Sequence, residues 1–389
     1  MRVRNTLLSA AILVFTCALA AAAARANDSV AEVAIGGLTL LKTDAISMDS
    51  EDLYISRDIV RVKYRFTNTT DAPVDALIAF PLPDITHDML MQCVNAAIWS
   101  DLSELKFKTR VDDRPVALHI IERAFFKGKD VSARLAVHHI PLNPKGTIDT
   151  AIKSLPESDR NRLVTEGLIK WDDEYDPGWW LANWTLRTAV TRRQAFPPRK
   201  TFIVEHEYAP RGNPYPVEVI TGLDRLAPQP ADLSELRHKY CVGDSWLHNF
   251  KKRLENKQIA WKVNSLGYVL TTGANWKGPI GDFHLIVDTG KPDSLVSFCG
   301  DGIKQISPTQ FEVRYTNFTP TEDLQLLIVD FADVRAAPDD YIMPRKELNP
   351  LDKAVALVCS KLADARGLHG KERSEFREEC KKGHPAAPQ

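Results

Sequence analysis

The segment at residues 60–83 has the most regular alternation of apolar and charged residues in the chain. One parity is apolar and the other is basic: Val60, Val62, Tyr64 and Phe66 against Arg61, Lys63 and Arg65. A period of two predicts an antiparallel strand with one buried face. Turn-forming residues follow at 68–73, so residues 74–80 are predicted to return as the second strand of a hairpin. Because a hairpin cannot bury its apolar face alone, a second sheet is expected above it.

Residues 1–26 have the features of a signal peptide. Arg2 and Arg4 precede an apolar stretch at 7–23, and the triplet 24–26 has the small-x-small form of a cleavage site. We therefore expect the mature protein to be periplasmic or secreted. No later segment is apolar over the length that a bilayer requires, so no transmembrane segment is predicted in the mature chain.

The cysteines suit an exported protein. Disulfides are the expected state after export, and we predict the pairs Cys241 with Cys299 and Cys359 with Cys380, which leaves Cys93 as a thiol. No cysteine lies in a pattern with zinc-ligand spacing, and no cofactor is predicted. The 50 basic and 51 acidic side chains balance, so there is no electrostatic reason to expect nucleic acid as a partner.

The chain is long enough for two domains, and strand signals dominate it. We predict a mainly β fold with two antiparallel β-sandwich-like domains, at 27–140 and 171–335. Pro156 and an acidic first turn indicate a helical insertion at 141–170. The tail at 345–389 is predicted to be a small helical hairpin, held by its disulfide because its core is too small to fold alone.

Two local predictions concern a helix and a histidine. Asp244 is predicted to be the N-cap of a helix whose apolar side begins with Leu247. His206 shares the apolar parity of its strand, while Glu205 and Glu207 point to the opposite face. We therefore predict a core histidine bonded to backbone rather than a carboxylate–histidine pair within this segment.

Several short motifs resemble a known family. The residues that carry the likeness are Ser50-Glu51-Asp52-Leu53, Tyr64-Arg65-Phe66-Thr67-Asn68, Ala79-Phe80-Pro81-Leu82-Pro83-Asp84-Ile85, Val204-Glu205-His206-Glu207-Tyr208 and Gly278-Pro279-Ile280-Gly281-Asp282-Phe283. Together they resemble the bacterial exported family called domain of unknown function 4424, over about residues 27–331. That resemblance implies a location and an architecture, and it implies no reaction.

The tail has a resemblance of its own. Its matching residues, in order, are Cys359, Ala363, Gly367-Leu368, Gly370, Glu372-Arg373, Phe376 and Cys380. They are similar to the repeat of the phosphate-starvation-inducible protein PsiF, a small periplasmic family. The PsiF-like tail therefore implies a periplasmic setting and again no chemistry.

Four tryptophans form the first candidate binding site. Trp179, Trp180 and Trp184 lie close together in sequence, and Trp276 lies in a glycine-flanked loop. Flat indole rings with a polar N–H suit stacking against sugars or peptides. The alternative is that Trp184 belongs to the core and its neighbours cover a sheet edge.

A polar turn forms the second candidate site. Asp84, His87 and Asp88 could hold a divalent metal ion or perform acid–base work. The alternative is an ordinary turn in which Asp84 caps the following segment. Local nucleophile and metalloprotease motifs such as GxSxG and HExxH do not occur in the sequence.

These observations favour a non-catalytic binding or structural module for an envelope protein or another envelope component. One alternative is a protein that binds or acts on carbohydrate through the cluster 179–184. Another is a metal-dependent hydrolase centred on residue 84. Whether the chain is an enzyme stays open, with the balance of the motifs against it.

Overall fold

The computed structural model describes residues 28–34, 37–82, 84–85, 105–144, 147–172, 179–210, 230–256 and 258–336, with 358–359, 361–363, 366, 375–377 and 379–380 in the tail. The strands are β1 (Ser29–Ala34), β2 (Gly37–Leu41), β3 (Ile46–Ser56), β4 (Val60–Asn68), β5 (Val74–Pro81), β6 (Lys108–Val111), β7 (Arg114–Pro115), β8 (His119–Phe126), β9 (Lys129–Asp130), β10 (Ile169–Asp172), β11 (Trp179–Ala182), β12 (Thr185–Phe196), β13 (Thr201–Tyr208), β14 (Ile259–Tyr268), β15 (Ile280–Asp288), β16 (Leu295–Phe298), β17 (Lys304–Gln305), β18 (Gln310–Phe318) and β19 (Leu324–Asp333). The helices are α1 (Ser132–Val137), α2 (Thr147–Lys153), α3 (Glu157–Thr165), α4 (Pro230–Tyr240) and α5 (Asp244–Leu254), with a 3-10 turn at Thr271–Asn275.

One large sheet organises the molecule. It has eight strands in the order β17-β18-β15-β3-β4-β13-β6-β7, and all neighbours are antiparallel except β3 and β15, which run parallel. A six-stranded sheet, β2-β1-β5-β12-β8-β9, and a three-stranded sheet, β14-β19-β16, cover one side of it. A single cluster of buried side chains contains residues of all three sheets. The predicted mainly β, sandwich-like fold is confirmed, with one large layer on two smaller ones.

β4 and β5 do not form the predicted hairpin, and that prediction was wrong. β4 pairs with β3 and β13, whereas β5 pairs with β1 and β12 in the opposite layer. The turn between them is held by the Asn68 side chain, which donates to the carbonyls of Ala72 and Phe196, both at 2.9 Å. Phe66 and Phe80 thereby reach one core from opposite layers. Each strand buries its apolar face against the other sheet, which a two-stranded hairpin cannot do.

The sheets also cross the predicted boundary between the two domains. β12 and β13 follow the helical insertion in sequence, yet they pair with β5 and β8 and with β4 and β6 respectively. β15 then adds the C-terminal strands to the free edge of β3. An unpaired strand edge needs hydrogen-bonding partners, and strands from far along the chain supply them here.

The helices build two further clusters of buried side chains. α1, α2 and α3 pack with the β10–β11 hairpin around Trp184. α2 and α3 lie within the stretch 141–170 where helices were predicted, whereas α1 precedes it. α4 and α5 cover the side of the three-stranded sheet that faces away from the eight-stranded sheet. The N-cap of α5 is Gly243 rather than the predicted Asp244, which is the first helical residue. Leu247 is buried in this second cluster, as predicted.

Both predicted disulfides are present. Cys241 pairs with Cys299, and Cys359 pairs with Cys380 in the tail. The first ties the segment between α4 and α5 to the end of the three-stranded sheet. Cys93 lies outside the described residues. None of the helices described is long and apolar enough to cross a membrane.

Candidate functional site

The outer face of the eight-stranded sheet, the face that points away from the core, carries ordered rows of charged side chains. Strand alternation sends the apolar residues of β3, β4, β13 and β15 inward and the polar ones outward. Cross-strand register then aligns the outward residues. One row runs Arg314, His284, Asp52, Lys63, Glu205, Arg110, and the next runs Glu312, Ile286, Tyr54, Arg61, Glu207, Lys108.

Opposite charges in these rows form cross-strand ion pairs. The Lys63 Nζ lies 3.2 Å from the Glu205 Oε1, and the Arg61 Nε donates to the Glu207 Oε2 at 3.0 Å. Arg61 lowers the pKa of Glu207 through this hydrogen bond, against the opposing effect of burial. The paired side chains are pre-ordered on a rigid sheet rather than on mobile loops.

His284 connects three strands within the first row. Its Nδ1 lies 3.0 Å from the Asp52 Oδ1, and its Nε2 lies 3.0 Å from the Glu312 Oε1. An imidazole donates from both nitrogens only in its protonated form, so this geometry suits the imidazolium. A hydrogen bond from Arg314 is the main cause that lowers the pKa of Glu312. Strand alternation places His284 on the face opposite Phe283 and Leu285, but both carboxylates lie on other strands, so the local sequence does not indicate them.

On β3, β4, β6, β13 and β15, three outward charged side chains make neither an ion pair nor a hydrogen bond with any described residue. They are Arg65 on β4, Arg110 on β6 and Asp282 on β15, and all three are exposed. They border two shallow grooves of about 420 Å³ and about 580 Å³. Asp52, Lys63 and His284 line both grooves, so the two form one continuous depression. This depression is the candidate site.

A second set of charges is buried between the layers. The guanidinium of Arg192 donates to both carboxylate oxygens of Asp28, at 3.1 and 2.7 Å, and the His206 Nε2 lies 3.1 Å from the Asp28 Oδ2. The His206 Nδ1 lies 2.8 Å from the Thr109 hydroxyl. The side chains of Asp28 and His206 are fully buried. His206 is thus a core histidine as predicted, but its partners are side chains rather than backbone.

The pKa values of this buried set follow from its geometry. Burial raises the pKa of Asp28, but the charge of Arg192 and the His206 contact outweigh it and hold that pKa well below its usual range. Burial also lowers the pKa of His206, with the charge of Asp28 acting in the opposite direction. His206 is therefore neutral, and the consistent tautomer donates from Nε2 to Asp28 and accepts from Thr109 at Nδ1.

Thr109, His206 and Asp28 have the order of a nucleophile, a base and an orienting acid. Thr109, however, is 3% exposed, and its hydroxyl points into the core. A substrate cannot approach an atom that is enclosed in this way, so we interpret the set as structural. The sequence did not reveal it because Asp28 and His206 lie 178 positions apart.

Buried tyrosines extend the polar core. The Tyr268 hydroxyl donates to the Glu51 Oε1 at 3.2 Å and lies 2.9 Å from the Tyr64 hydroxyl. Burial is the main cause that raises the pKa values of Tyr64 and Tyr268 well above the ordinary value. Both hydroxyls therefore stay protonated and act as hydrogen-bond donors.

The structure does not bring the four predicted tryptophans together. Trp184 is buried in the cluster of the helical insertion, where its Nε1 donates to the Leu142 carbonyl at 2.7 Å. Trp276 is buried in the main core against Phe66, where its Nε1 donates to the Asp28 carbonyl at 2.8 Å. Both residues are core. For Trp184 this is the alternative stated in the sequence analysis, and for Trp276 it corrects the prediction of a binding surface.

Trp179 and Trp180 remain half-buried at the start of β11. Trp180 meets Trp171 of β10 edge to face, with the ring centroids 5.2 Å apart, and Trp171 is 46% exposed. Trp171 was not among the predicted binding residues, because residues 173–178 separate it from Trp179 and Trp180 in the sequence. Cross-strand pairing joins it to Trp180.

The predicted metal site is only partly described. The Asp84 carboxylate lies 3.3 Å from the Arg187 Nε and is largely buried. Burial raises the pKa of Asp84, with Arg187 acting in the opposite direction. His87 and Asp88 lie outside the described residues. Among the residues described, no group of three or more potential ligands is arranged to hold a metal ion.

Comparison with known proteins gives one family and distant folds. The family model described as "Domain of unknown function (DUF4424)" matches residues 26–327. No curated protein sequence matches the chain. A Legionella pneumophila protein with the provisional description of a nutrient binding protein is similar at 16% identity, with a TM-score of 0.40, over 78% of this chain and 70% of that one. An M1 zinc metallopeptidase from Deinococcus radiodurans is similar at 10% identity, with a TM-score of 0.21, over 74% of this chain and 43% of that one. Both TM-scores are low, and we attach no functional weight to either likeness.

Proposed function

Because the chain belongs to the DUF4424 family, a domain of unknown function, we propose its role from its own geometry. We propose that it is an exported, non-catalytic binding protein that recognises a charged ligand or envelope component on the outer face of the eight-stranded sheet. The observation that carries this proposal is the pair of charged rows on that face, which no described element covers.

Stability does not account for these rows. Lys63 is 54% exposed in its pair with Glu205, and Arg61 is 58% exposed in its pair with Glu207. Such exposed pairs contribute about 0.2–1 kcal/mol each, and side-chain ordering offsets part of that. Ordered charges on a rigid surface do favour electrostatic complementarity, which gives specificity and fast association. A recognition role therefore explains the rows better than a structural role does.

The surroundings of the outer face also support binding. The helices that the structure describes pack elsewhere: α1–α3 on the β10–β11 hairpin and the six-stranded sheet, and α4 and α5 on the three-stranded sheet. None of the elements described covers the outer face across β15, β3, β4, β13 and β6, where the charged side chains are largely exposed. The signal-peptide features and the two disulfides support an oxidising compartment outside the cytoplasm.

Site-specific photo-crosslinking in cells that export the protein tests this proposal. A photoreactive residue replaces Thr316 or Lys108 on the outer face, and Arg193 on the solvent side of the six-stranded sheet serves as the control position. Adducts of one defined mass are expected at the two outer-face positions and not at Arg193. They should be lost when Lys63→Glu reverses one charge in the row. Equal adducts at all three positions, or none at the outer face, would refute the proposal.

Carbohydrate binding is a second candidate, favoured by the pair of the exposed Trp171 and the half-buried Trp180. Trp180 is held in place, because its backbone N–H donates to the Asp149 Oδ1 at 2.8 Å and the Arg160 guanidinium lies 5.8 Å from its ring centroid. An exposed indole beside a fixed one offers a platform on which a sugar ring can stack. A glycan array with the wild type and Trp171→Ala checks this candidate, with Trp246→Ala as a half-buried control. Binding that survives in Trp171→Ala, or no binding at all, removes it.

A further inference from the structure

We propose that the larger groove of the outer face binds a short zwitterionic peptide, with the peptide carboxylate on Arg65 and its ammonium group on Asp282. This inference rests on the proposed function, since it names a ligand class for the same face. It follows from two unpaired opposite charges, their separation, and the groups that lie between them.

Arg65 and Asp282 differ from their neighbours in having no ion partner in the described part of the chain. The adjacent Lys63 is paired with Glu205, and Arg314 is paired with Glu312 at 2.9 Å. An exposed guanidinium and an exposed carboxylate on one face are both free to bind ligand charges. Guanidinium groups suit carboxylates because they donate two parallel hydrogen bonds.

The two charges stand in one cross-strand row. Asp282 lies opposite Ser50, and Ser50 lies opposite Arg65, so β3 separates them. Two inter-strand steps of about 4.8 Å place their backbones about 10 Å apart. An extended peptide advances about 3.3 Å per residue, so a chain of about three residues spans this distance.

The groove between the two charges has room for such a ligand. Its volume is about 580 Å³, and its lining includes Ser50, Arg65 and Asp282. This volume lies in the usual range for small-ligand sites, about 300–1,000 Å³. The Ser50 hydroxyl makes no hydrogen bond to any residue described and is available to a peptide carbonyl or N–H.

A break in the sheet pairing lies directly beside the groove. The register between β3 and β4 shifts between Met48 and Ser50, which leaves Asp49 as an extra residue. On the other side of β3, the absence of a side chain at Gly281 lets β15 approach the bulge closely. A Cβ at this position would lie 2.5 Å from the Asp49 carbonyl oxygen. Bulges commonly re-aim side chains beside binding sites. Here the bulge sets the positions of Ser50 and Asp282 relative to Arg65.

The charges of the whole face favour one ligand orientation. The half formed by β4, β13 and β6 has five cations and two carboxylates: Arg61, Lys63, Arg65, Lys108 and Arg110 with Glu205 and Glu207. The half formed by β3, β15 and β18 has five carboxylates, one guanidinium and one imidazole: Asp49, Asp52, Asp282, Asp288 and Glu312 with Arg314 and His284. The field therefore draws a carboxylate toward β4 and an ammonium toward β15.

Isothermal titration calorimetry with triglycine tests this inference on the full mature chain. N-acetyl-triglycine lacks the ammonium charge, and triglycine amide lacks the carboxylate charge. Triglycine is expected to bind, and each blocked peptide should bind at least about fivefold more weakly, which corresponds to about 1 kcal/mol. Arg65→Gln should weaken the binding of triglycine by a similar factor and leave the binding of triglycine amide unchanged. Asp282→Asn should also weaken the binding of triglycine and should leave the binding of N-acetyl-triglycine unchanged.

Matched control variants lie on the opposite layer. Arg193→Gln on β12 and Asp75→Asn on β5 remove the same charges from exposed positions outside the groove and should bind triglycine like the wild type. Equal binding of all three peptides, or no triglycine binding, would overturn the zwitterion inference. If outer-face crosslinks persist in either case, the proposed function stands with another ligand. If those crosslinks are also absent, both proposals fall.

Discussion

The protein has ion pairs between carboxylates and basic side chains both in the buried core and on the exposed outer face, and the desolvation penalty differs between the two. Asp28 and Arg192 form a buried bidentate pair with exposures of 0% and 3%, whereas Lys63 and Glu205 form an exposed pair on the other side of the large sheet. A buried pair must recover a desolvation penalty and tolerates the loss of neither partner. An exposed pair is held weakly and can exchange its partner for a ligand. The buried set therefore stabilises the packing of the two sheets, and the exposed set can bind a ligand.

Breaking the buried pair should have the largest effect. Arg192→Met keeps the length of the side chain but leaves Asp28 as a buried carboxylate without its main counter-charge. We expect a loss of about 3–5 kcal/mol in the free energy of unfolding, measured by urea denaturation. Arg193→Met, the exposed neighbour on β12, should cost less than about 0.5 kcal/mol. Equal losses in the two variants would contradict the assignment of Arg192 to the core.

Removing one buried hydroxyl should have an intermediate effect. Tyr268→Phe deletes the O–H that donates to Glu51 and contacts Tyr64, so we expect a loss of about 1–3 kcal/mol in unfolding free energy. The outer-face counterpart is Tyr54→Phe, which deletes the hydroxyl bonded to Asp288 at 3.0 Å. That loss should stay below about 1 kcal/mol because water can replace the bond. The comparison fails if the outer variant is the less stable one.

The buried His206 should make the free energy of unfolding depend on pH in mild acid. The pKa of His206 is lowered in the folded state, so below about pH 6.5 the unfolded chain binds a proton that the folded chain does not. Stability should therefore fall as the pH drops from about 6.5, by at most about 1.4 kcal/mol per pH unit from this group. His206→Gln should flatten that slope, and the exposed His248→Gln should leave it unchanged. Urea denaturation at several pH values gives both slopes.

Asp28 adds a second acid step at lower pH. Its folded-state pKa is lowered, so its stabilising effect is present above the unfolded value of about 4 and is lost as the pH falls further. Asp28→Asn should remove this step while keeping the step near pH 6.5. If the low-pH step persists unchanged in Asp28→Asn, another group causes that loss of stability.

Neutralising an outer pair should have the smallest effect on stability. The double variant Lys63→Gln with Glu205→Gln should change the unfolding free energy by less than about 1 kcal/mol, and the difference should shrink in high salt. The same variant should impair adduct formation at Thr316 in the crosslinking experiment. A large stability loss with normal adducts would reverse the roles that we assign to the two sets.

Much of the local structure could be read from the residues. The alternation along β4 and β13 predicted which side chains point inward, including His206, and the structure agrees. The cysteine pairs were also predicted as found. The hairpin prediction failed because period two specifies a buried face and does not say which strand pairs with which. Trp276 was misassigned, and the choice between core and binding surface for Trp184 stayed open, because residue type alone does not separate a buried indole from an exposed one.

The sequence alone determined the strand faces, the disulfide partners and the helical character of the segment that holds α2 and α3, because each depends on residues near one another or on a few distinctive side chains. Tertiary structure alone decided that β3 and β15 lie side by side, and this pairing places Asp282 and Arg65 in one row. It also joined Asp28 to His206 and Arg192. Both sites arise from contacts between segments far apart in the chain, where periodicity carries no information about register.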